Sequence, residues 1–285
     1  MNIDNFRFEG NKFYINETDT IIDNEQFGFI DKSINEETDK HIKKLIKLQD
    51  KMYADGKYSV LFLIQAMDTA GKDGIIKHVM SGLNPQATQV YNFKQPTPED
   101  LNHDFLWKAH KLLPERGHIG IFNRSYYEEV LVVRVHDLIK NQKIPTNLIH
   151  KDIFEERFEQ IRDFEKMIHK NGTQVIKIFL NISKDEQKQR LLDRIDDKAK
   201  NWKFSEADLK ERGHWEKYME YYQDMINNTS TDKCPWYVIP SDQKKISRLI
   251  VSQILVDRLK ELNLEYPELN EEQTNNLLKF KSQLV

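Results

Sequence analysis

The sequence of 285 residues is poor in cysteine and in long apolar runs, and both absences exclude classes of protein. Its one cysteine, Cys234, cannot form an internal disulfide or build a thiolate zinc site. The apolar run over 60–64 falls far short of the roughly 20 residues that a membrane helix needs. The first residues lack the basic-then-apolar pattern of a signal peptide. We therefore expect a cytoplasmic protein with no membrane partner.

A strong excess of charge of one sign is also missing, since 43 Lys+Arg face 46 Asp+Glu and leave a formal net charge of −3. This balance excludes a uniformly basic protein that coats nucleic acid, although it permits a local basic groove. Length and composition suit one domain over 1–285. Within it we expect an N-terminal arm over about 1–30, ordered only if it docks, and a polar tail with a short helix over about 263–285.

Glycine is scarce, at 10 residues, so a close pair such as Gly71 and Gly74 is informative. The pair follows an apolar stretch over 59–66, whose pattern is typical of a buried parallel strand. Helices are expected between the strands, including an amphipathic one over 35–54. The other expected strands lie at 89–93, 119–122, 174–180 and 236–239, and helix starts are expected at Thr97, Ser183 and Ser205. This alternation indicates an α/β fold, a parallel sheet flanked by helices.

The segment from Ala66 to Gly74 has the features of a phosphate-binding loop. A strand, a tight glycine loop, a lysine and a helix start direct backbone N–H groups at an anion. This sequence departs from the standard pattern G-x-x-x-x-G-K-[ST] at two positions. Ala66 stands where the pattern has its first glycine, and Asp73 stands where it has Ser or Thr. The alternative is a strand–turn–helix with an incidental Gly-Lys, but the flanking elements favour phosphate binding. The candidate phosphate-binding residues are Ala70, Gly71, Lys72, Asp73 and Gly74.

Acidic residues near this loop are candidates for a metal site. Asp68 lies within the loop and could hold Mg²⁺ or orient the acceptor. Asn123 ends a predicted strand where many phosphoryl-transfer proteins carry an acid, so Glu128 and Glu129 become candidates for metal or acceptor contacts. The alternative for this glutamate pair is a solvated helix start. Arg124, beside Asn123 and facing the same crevice, suits bidentate phosphate binding.

The segment over about 183–213 is expected to be a helical lid above the loop. Arg190 and Arg194 are four residues apart and share one helix face, and Lys203 follows in a polar stretch. Such cations would neutralise a transferring phosphoryl group. The alternative is ordinary surface charge with partners on the same helix, such as Glu186 for Arg190.

Several blocks of sequence, in one order, resemble the polyphosphate kinase 2 family and most closely its class III subgroup. The resemblance covers about residues 30–260 and leaves both ends of the chain largely outside it. The blocks are MDTAGKDG (67–74), HVMSGLNPQ (78–86), HDFLW (103–107), LPERG (113–117), IGIFNRSYYE (119–128), VLVVRVH (130–136), KNWKFS (200–205) and PWYVIP (235–240).

The resemblance implies a fold like that of the P-loop nucleoside monophosphate kinases, with a helical lid. It implies transfer of phosphoryl groups from inorganic polyphosphate to nucleotides with Mg²⁺, or Mn²⁺ as an alternative ion. The class III likeness implies AMP and ADP as acceptors, giving ADP and ATP. Asp68, Lys72 and Arg124 are then the implied catalytic residues. Glu128 is an implied ligand for metal and nucleotide, and Arg134 for nucleotide.

A polyphosphate chain would also need a basic track that leads away from the loop. The candidates for this track are Lys77, Lys108, Lys111 and Arg116. The expected partners are polyphosphate, AMP and ADP/ATP, without nucleic acid. Because the family tends to be oligomeric, we also expect a homo-oligomer, in which the helices over 35–54 and about 246–259 could supply the interface.

Two other functions share many of these features. An ATP-dependent nucleoside or nucleotide kinase would have the same fold, loop and lid, but would ordinarily carry Ser or Thr where Asp73 stands. A P-loop nucleotide-binding module without transfer chemistry would not need the arginines of the lid.

Overall fold

A six-stranded sheet forms the centre of the fold. The computed structural model describes residues 2–10, 12–23 and 31–284. The strands are β1 (Arg7–Phe8), β2 (Ser59–Ala66), β3 (Thr88–Asn92), β4 (Ile119–Asn123), β5 (Thr173–Asn181) and β6 (Trp236–Pro240). Their order is β1-β6-β5-β2-β4-β3, and every pair is parallel except β1 with β6. The α/β fold expected from the sequence is confirmed.

Helices flank this sheet along the described part of the chain. Their bounds are α1 (Asp31–Asp55), α2 (Lys72–Val79), α3 (Trp107–Lys111), α4 (Val132–Val135), α5 (Ile153–Lys170), α6 (Lys184–Asp196), α7 (Glu206–Gly213), α8 (Trp215–Thr229), α9 (Lys244–Lys260) and α10 (Glu271–Leu284). Short 3₁₀ turns join several of them, among them Tyr126–Val130 directly after β4. No described helix combines the length and apolarity that crossing a bilayer requires.

The central strand β2 is buried along its whole length and pairs with β4 and β5. Its apolar residues face helices on both sides, which explains why they run without alternation. Parallel strands bring their carboxyl ends to one edge of the sheet, where ligands of such folds bind. Ile64 of β2 lies opposite Asn123 of β4 at that edge, so the loop after β2 and the turn after β4 are neighbours.

The predicted N-terminal arm is docked on the domain. Its apolar side chains Phe6, Phe13, Ile15 and Ile22 are buried in the core. The arm contributes β1, a strand that the sequence pattern did not predict. The predicted arm also includes residues 1, 11 and 24–30, and the predicted tail residue 285, which lie outside the described residues.

The helix starts follow local capping. Ser183 Oγ accepts from Glu186 N at 3.1 Å, and Ser205 Oγ accepts from Ala207 N at 3.2 Å. Thr97 and Asp100 cap each other, but the helix expected there is only the 3₁₀ turn Asp100–Asn102. The tail ends in α10, as expected.

The apolar faces offered for an oligomer are covered within the chain. Helices α1 and α9 pack against each other, with Leu45 and Met52 of α1 and Ile250 and Ile254 of α9 buried. These buried side chains are therefore already covered within the chain, and the homo-oligomer stays a prediction.

Candidate active site

The loop between β2 and α2 has the geometry of an anion cradle. Gly71 has φ 119° and Thr69 has φ 66°, so the backbone turns sharply before α2 begins at Lys72. A side chain at position 71 would be strained at this φ. The free N–H groups and positive end of α2 therefore face the cavity at the carboxyl edge of the sheet.

Lys72 is buried and folded back over its own loop. Its ammonium donates to Ala66 O at 2.8 Å and Met67 O at 3.1 Å. Burial, reinforced by the charge of Arg124, lowers the pKa of Lys72 to about 8. An arriving phosphate would favour the charged form and offer the ammonium a stronger partner than two carbonyls.

Arg124 holds the two candidate metal-binding carboxylates in place. Its guanidinium contacts Asp68 Oδ1 closely and lies 3.5 Å from Glu128 Oε2. Burial opposes the charge of Arg124, but Glu128 and Asp68 raise its pKa, so it stays protonated. Arg124 itself has φ 62°, an unfavourable value for a residue with a side chain. The structure thus brings together Asp68, Lys72, Arg124 and Glu128.

Asp73, which replaces the hydroxyl residue of the standard loop, contacts Asn123, which stands where many phosphoryl-transfer proteins carry an acid. Asn123 Nδ2 donates to Asp73 Oδ1 at 2.9 Å and to Asn92 Oδ1 at 2.8 Å. An acid at position 123 would face the Asp73 carboxylate and repel it. Asparagine at 123 is therefore the partner that aspartate at 73 requires.

Arg190 holds the loop from the side of α6. Nη1 donates to Thr69 O at 3.0 Å and Ala70 O at 2.9 Å, and Nη2 donates to Ser241 O and Asp242 O at 2.6 and 2.9 Å. Its Nε donates to Glu186 Oε1 at 2.7 Å. Arg190 lines the cavity beside the loop, but all five of its N–H donors are used within the protein in this conformation. Phosphate binding by Arg190 stays a prediction that this arrangement does not support.

The other two cations of the predicted lid line the same cavity as Arg190. Arg194 and Lys203 both line it, and Arg194 Nη1 pairs with Asp208 Oδ2 at 3.1 Å. Lys203 Nζ lies over the exposed ring of Trp202, 5.1 Å from its centroid. The lid bounds of about 183–213 stay a prediction, although α6, α7 and the turn between them occupy this segment.

Two cavities meet at the loop, and their linings differ in charge. The first has a volume of about 640 Å³ and is lined by nine Lys or Arg and three Asp residues. The second, of about 990 Å³, has five Lys or Arg residues against seven acids, together with apolar and tyrosine side chains. Asp68, Phe93, Lys94 and Arg124 line both cavities. The pair Asp68–Arg124 therefore lies where ligands bound in the two cavities would meet.

Two predicted binding residues lie away from these cavities. Arg116 Nη1 donates to Lys57 O at 2.8 Å, before β2 begins. The ends of the 8-residue strand β2 are about 25 Å apart, so Arg116 is at the wrong edge of the sheet. Arg134 lines neither cavity; it pairs with Asp224 at 2.7 Å and stacks on Tyr221. Substrate binding by Arg116 and Arg134 stays a prediction that these contacts do not support.

The remaining track candidates are scattered. Lys108 lines the acidic cavity and pairs with Asp100 at 3.2 Å. Lys111 stacks over Trp107 at 4.0 Å, and Lys77 is exposed on α2. Of these three residues, only Lys108 lines a cavity at the loop, and the track stays a prediction.

The basic cavity uses cations that the sequence reasoning missed, namely Lys94, Lys200, Lys244 and Arg248. Lys94 follows the carboxyl end of β3 and Lys244 begins α9 after β6, so the strand-end rule could have found both. Arg248 lies within α9, where an added Cβ at Gly74 would come 3.5 Å from its Nη2. No pattern in the sequence links Arg248 to the loop.

The acidic groups at this junction fit a divalent ion that keeps water and phosphate ligands. The described residues include no ready cluster of three or more His, Cys, Asp or Glu suited to a metal. Mg²⁺, however, is commonly held by one or two carboxylates plus substrate phosphates. Asp68 and Glu128 supply two carboxylates. The buried Oδ1 of Asn123 and Oγ1 of Thr69 lack hydrogen-bond partners among the described residues. The donor set therefore fits Mg²⁺.

Comparisons with known proteins agree with one another. A family model described as Polyphosphate kinase 2 matches residues 30–267. An ADP-polyphosphate phosphotransferase of Rhodopseudomonas palustris is 48% identical over 246 residues, 86% of this chain and 85% of that protein. An AMP/ADP-polyphosphate phosphotransferase of Meiothermus ruber is 44% identical over 226 residues, 79% and 81% of the two chains. The crystal structure of Polyphosphate Kinase 2 from Arthrobacter aurescens superimposes with a TM-score of 0.86, at 37% identity, over 96% and 94% of the two chains.

Proposed function

The chain belongs to the polyphosphate kinase 2 family, and from that premise we propose that it transfers phosphoryl groups from inorganic polyphosphate to AMP and ADP, giving ADP and ATP. The names of the two relatives support a polyphosphate donor, and one of them names both acceptors. The observation that carries the proposal is the meeting of a basic and an acidic cavity at Asp68 and Arg124.

The basic cavity is the proposed donor site. A polyphosphate chain carries about one negative charge per phosphate, so it is attracted to a lining rich in Lys and Arg. Its terminal phosphate would lie against the loop N–H groups and Lys72. The chain would then run past Arg248 and Lys244 of α9, which replace the track expected from the sequence. Arg194 and Lys203 would cover it from the lid.

The second cavity is the proposed acceptor site. Its excess of acidic residues disfavours a long polyanion, whereas its apolar and tyrosine side chains suit a nucleoside. Tyr218 and Tyr222 of α8 line this cavity together with Glu128. The acceptor phosphate would reach the junction and meet Arg124.

The residues at the junction would position donor and acceptor in line and screen their charge. Lys72 would leave its two carbonyls for the donor phosphate, and Arg124 would exchange a carboxylate for the acceptor phosphate. Mg²⁺, or Mn²⁺ in its place, would be held by Asp68 and Glu128 and would neutralise charge on the transferring group. Closing the lid segment would exclude water, a competing acceptor.

The test is an assay of purified protein with Mg²⁺ and long-chain polyphosphate, offering AMP and ADP separately and measuring ATP. We expect ATP from both acceptors, and loss of both activities in Lys72→Ala. Arg116→Ala, altered at the opposite edge of the sheet, is the control and should match the unmodified protein.

ATP from ADP alone would contradict the AMP acceptor and leave the donor intact. No product with polyphosphate, combined with transfer from ATP to a nucleoside or monophosphate, would replace the proposal by the ATP-dependent kinase.

A further inference from the structure

The turn after β4 carries two residues of the proposed site, and its backbone is unusual. Arg124 has φ 62°, and Ser125 is fully extended before the 3₁₀ turn Tyr126–Val130, which contains Glu128. A left-handed backbone at a non-glycine residue persists when its surroundings fix it. Two bonds join the turn to β2, from Arg124 N to Ile64 O at 3.1 Å and from Gln65 Nε2 to Glu128 Oε1 at 3.2 Å. Further attachments lie in the core beneath it.

The core beneath the turn holds a polar cluster centred on Glu165 of α5. The hydroxyls of Tyr126 and Tyr127 both donate to Glu165 Oε1, at 2.8 and 2.7 Å. Lys177 of β5 donates to Glu165 Oε2 at 2.7 Å and is itself completely buried. Two adjacent residues of the turn are thus bonded to one carboxylate oxygen, which restricts rotation of the turn about its own axis.

This cluster is saturated with hydrogen bonds. The three N–H donors of Lys177 go to Glu165, to Tyr127 Oη at 3.1 Å and to Thr229 O at 2.7 Å. Thr229 ends α8, the helix that brings Tyr218 to the acceptor cavity. Burial and the charge of Glu165 raise the pKa of both turn tyrosines, so they remain donors. The cluster joins the turn, α5, β5 and the end of α8 in one arrangement.

Stability alone is a weak reason for such a cluster. Apolar residues of similar volume often stabilise a core as well as a buried ion pair does. What a saturated buried network adds is a defined geometry for the segments that it joins.

We propose that Glu165 and Lys177 are positioning residues that act through Tyr126 and Tyr127 to fix the turn carrying Arg124 and Glu128 for phosphoryl transfer. The inference rests on the proposed function for its kinetic consequence, but the geometry of the turn can be measured without it.

Tyr127→Phe is the mildest variant that tests the cluster, since it removes one hydroxyl and keeps the ring. Tyr237→Phe is the matched control, because Tyr237 is equally buried. It points to the opposite face of β6 from Trp236, whose ring packs against Tyr127 at 4.9 Å.

For Tyr127→Phe we expect kcat to fall about tenfold, since small displacements of catalytic groups are costly. The Mg²⁺ concentration for half-maximal rate should rise, whereas KM for polyphosphate should change less than about twofold. Tyr237→Phe should leave all three quantities unchanged. A fall in Tm with unchanged kcat per folded molecule would show a purely structural cluster and overturn the proposal.

Hydrogen exchange gives a second measurement that needs no activity. Amides over 124–131 should exchange as slowly as those of β5 in the unmodified protein, and faster in Tyr127→Phe but not in Tyr237→Phe. Rapid exchange of this segment in the unmodified protein, or no change in Tyr127→Phe, would overturn the positioning role. An inactive unmodified protein with this exchange pattern would instead refute the polyphosphate reaction and leave the fixed turn standing.

Discussion

Two arginines approach the phosphate loop from opposite sides, and the structure uses them differently. The side chain of Arg190, only 4% exposed, bonds four backbone carbonyls and Glu186. The side chain of Arg124, 34% exposed, contacts two carboxylates that face the cavities. Arg190 has no donor left for a substrate, whereas Arg124 can exchange partners.

The difference shows that the partners of a charged side chain decide its role more than its distance from a site. Carbonyls of a loop move only with the loop, so Arg190 fixes the loop shape. Carboxylates that also suit a metal ion can give up the guanidinium when substrate arrives, so the contacts of Arg124 belong to one stage of the reaction.

The largest effect is expected where Arg124 meets its main partner. Asp68→Asn keeps the size of the side chain but removes the charge proposed to hold Mg²⁺ and orient Arg124. We expect kcat with polyphosphate and ADP to fall by about 10³-fold or more, with Tm changed by little. Asp232→Asn, an exposed acid beside Lys233, is the control and should retain full activity. Substantial activity in Asp68→Asn would remove Asp68 from the proposed chemistry.

Replacing each arginine by lysine tests the contrast directly. Arg190→Lys keeps the charge but cannot reach four carbonyls, so we expect a loss of about 3 kcal/mol in the free energy of unfolding. Arg124→Lys should leave unfolding nearly unchanged and lower kcat about 100-fold. Denaturant unfolding and steady-state kinetics of both variants separate the two roles. The opposite assignment, with Arg124→Lys the less stable protein, would break the comparison.

A smaller effect is expected from the cations at the two edges of the sheet. Arg248→Ala should raise KM for long polyphosphate about 5- to 10-fold, and less at high salt, because screened charges attract the chain weakly. Arg116→Ala should leave KM unchanged. Equal changes in both variants would mean that the chain does not follow α9.

The smallest effect concerns pH and tests the influence of Arg124 on Lys72. Lys72 is charged below its pKa of about 8 and loses the charge as pH rises through that value. The pH dependence of kcat/KM for polyphosphate reports the ionisation of groups in the free enzyme. This quantity should therefore fall above about pH 8. Since Arg124 lowers this pKa, Arg124→Gln should move the fall to higher pH. A fall that persists unchanged in Lys72→Arg would assign it to another group.

The sequence alone predicts the parts of this molecule that depend on neighbouring residues. The strand 59–66, the helix start at Lys72 after the glycine loop and the caps at Ser183 and Ser205 are confirmed, because each depends on periodicity or on contacts within a few residues. The location of Arg116 also follows from local order, since a residue that precedes a parallel strand lies at the edge opposite to the carboxyl ends.

The remaining features depend on contacts between distant parts of the chain. Arg190 lies 120 residues beyond Ala70, and its spacing from Arg194 is the same whether it binds phosphate or carbonyls. The hydrogen bond between Asn123 and Asp73 joins residues 50 positions apart, so the reason for each residue is visible only in the folded chain. No pattern among neighbouring residues predicts the cluster of Glu165 and Lys177. A lysine in an apolar strand can be predicted to be buried only when the acid that pairs with it is known.

The docked arm has a consequence for the order in which the chain can fold. Arg7 and Phe8 pair with Tyr237 and Trp236, and Asn227 Oδ1 accepts from Phe13 N, 214 residues away. During synthesis, the arm therefore leaves the ribosome more than 200 residues before the segments that cover its apolar side chains. Because β1 can pair only after β6 has been synthesised, the pairing that completes this edge of the sheet is a late step of folding.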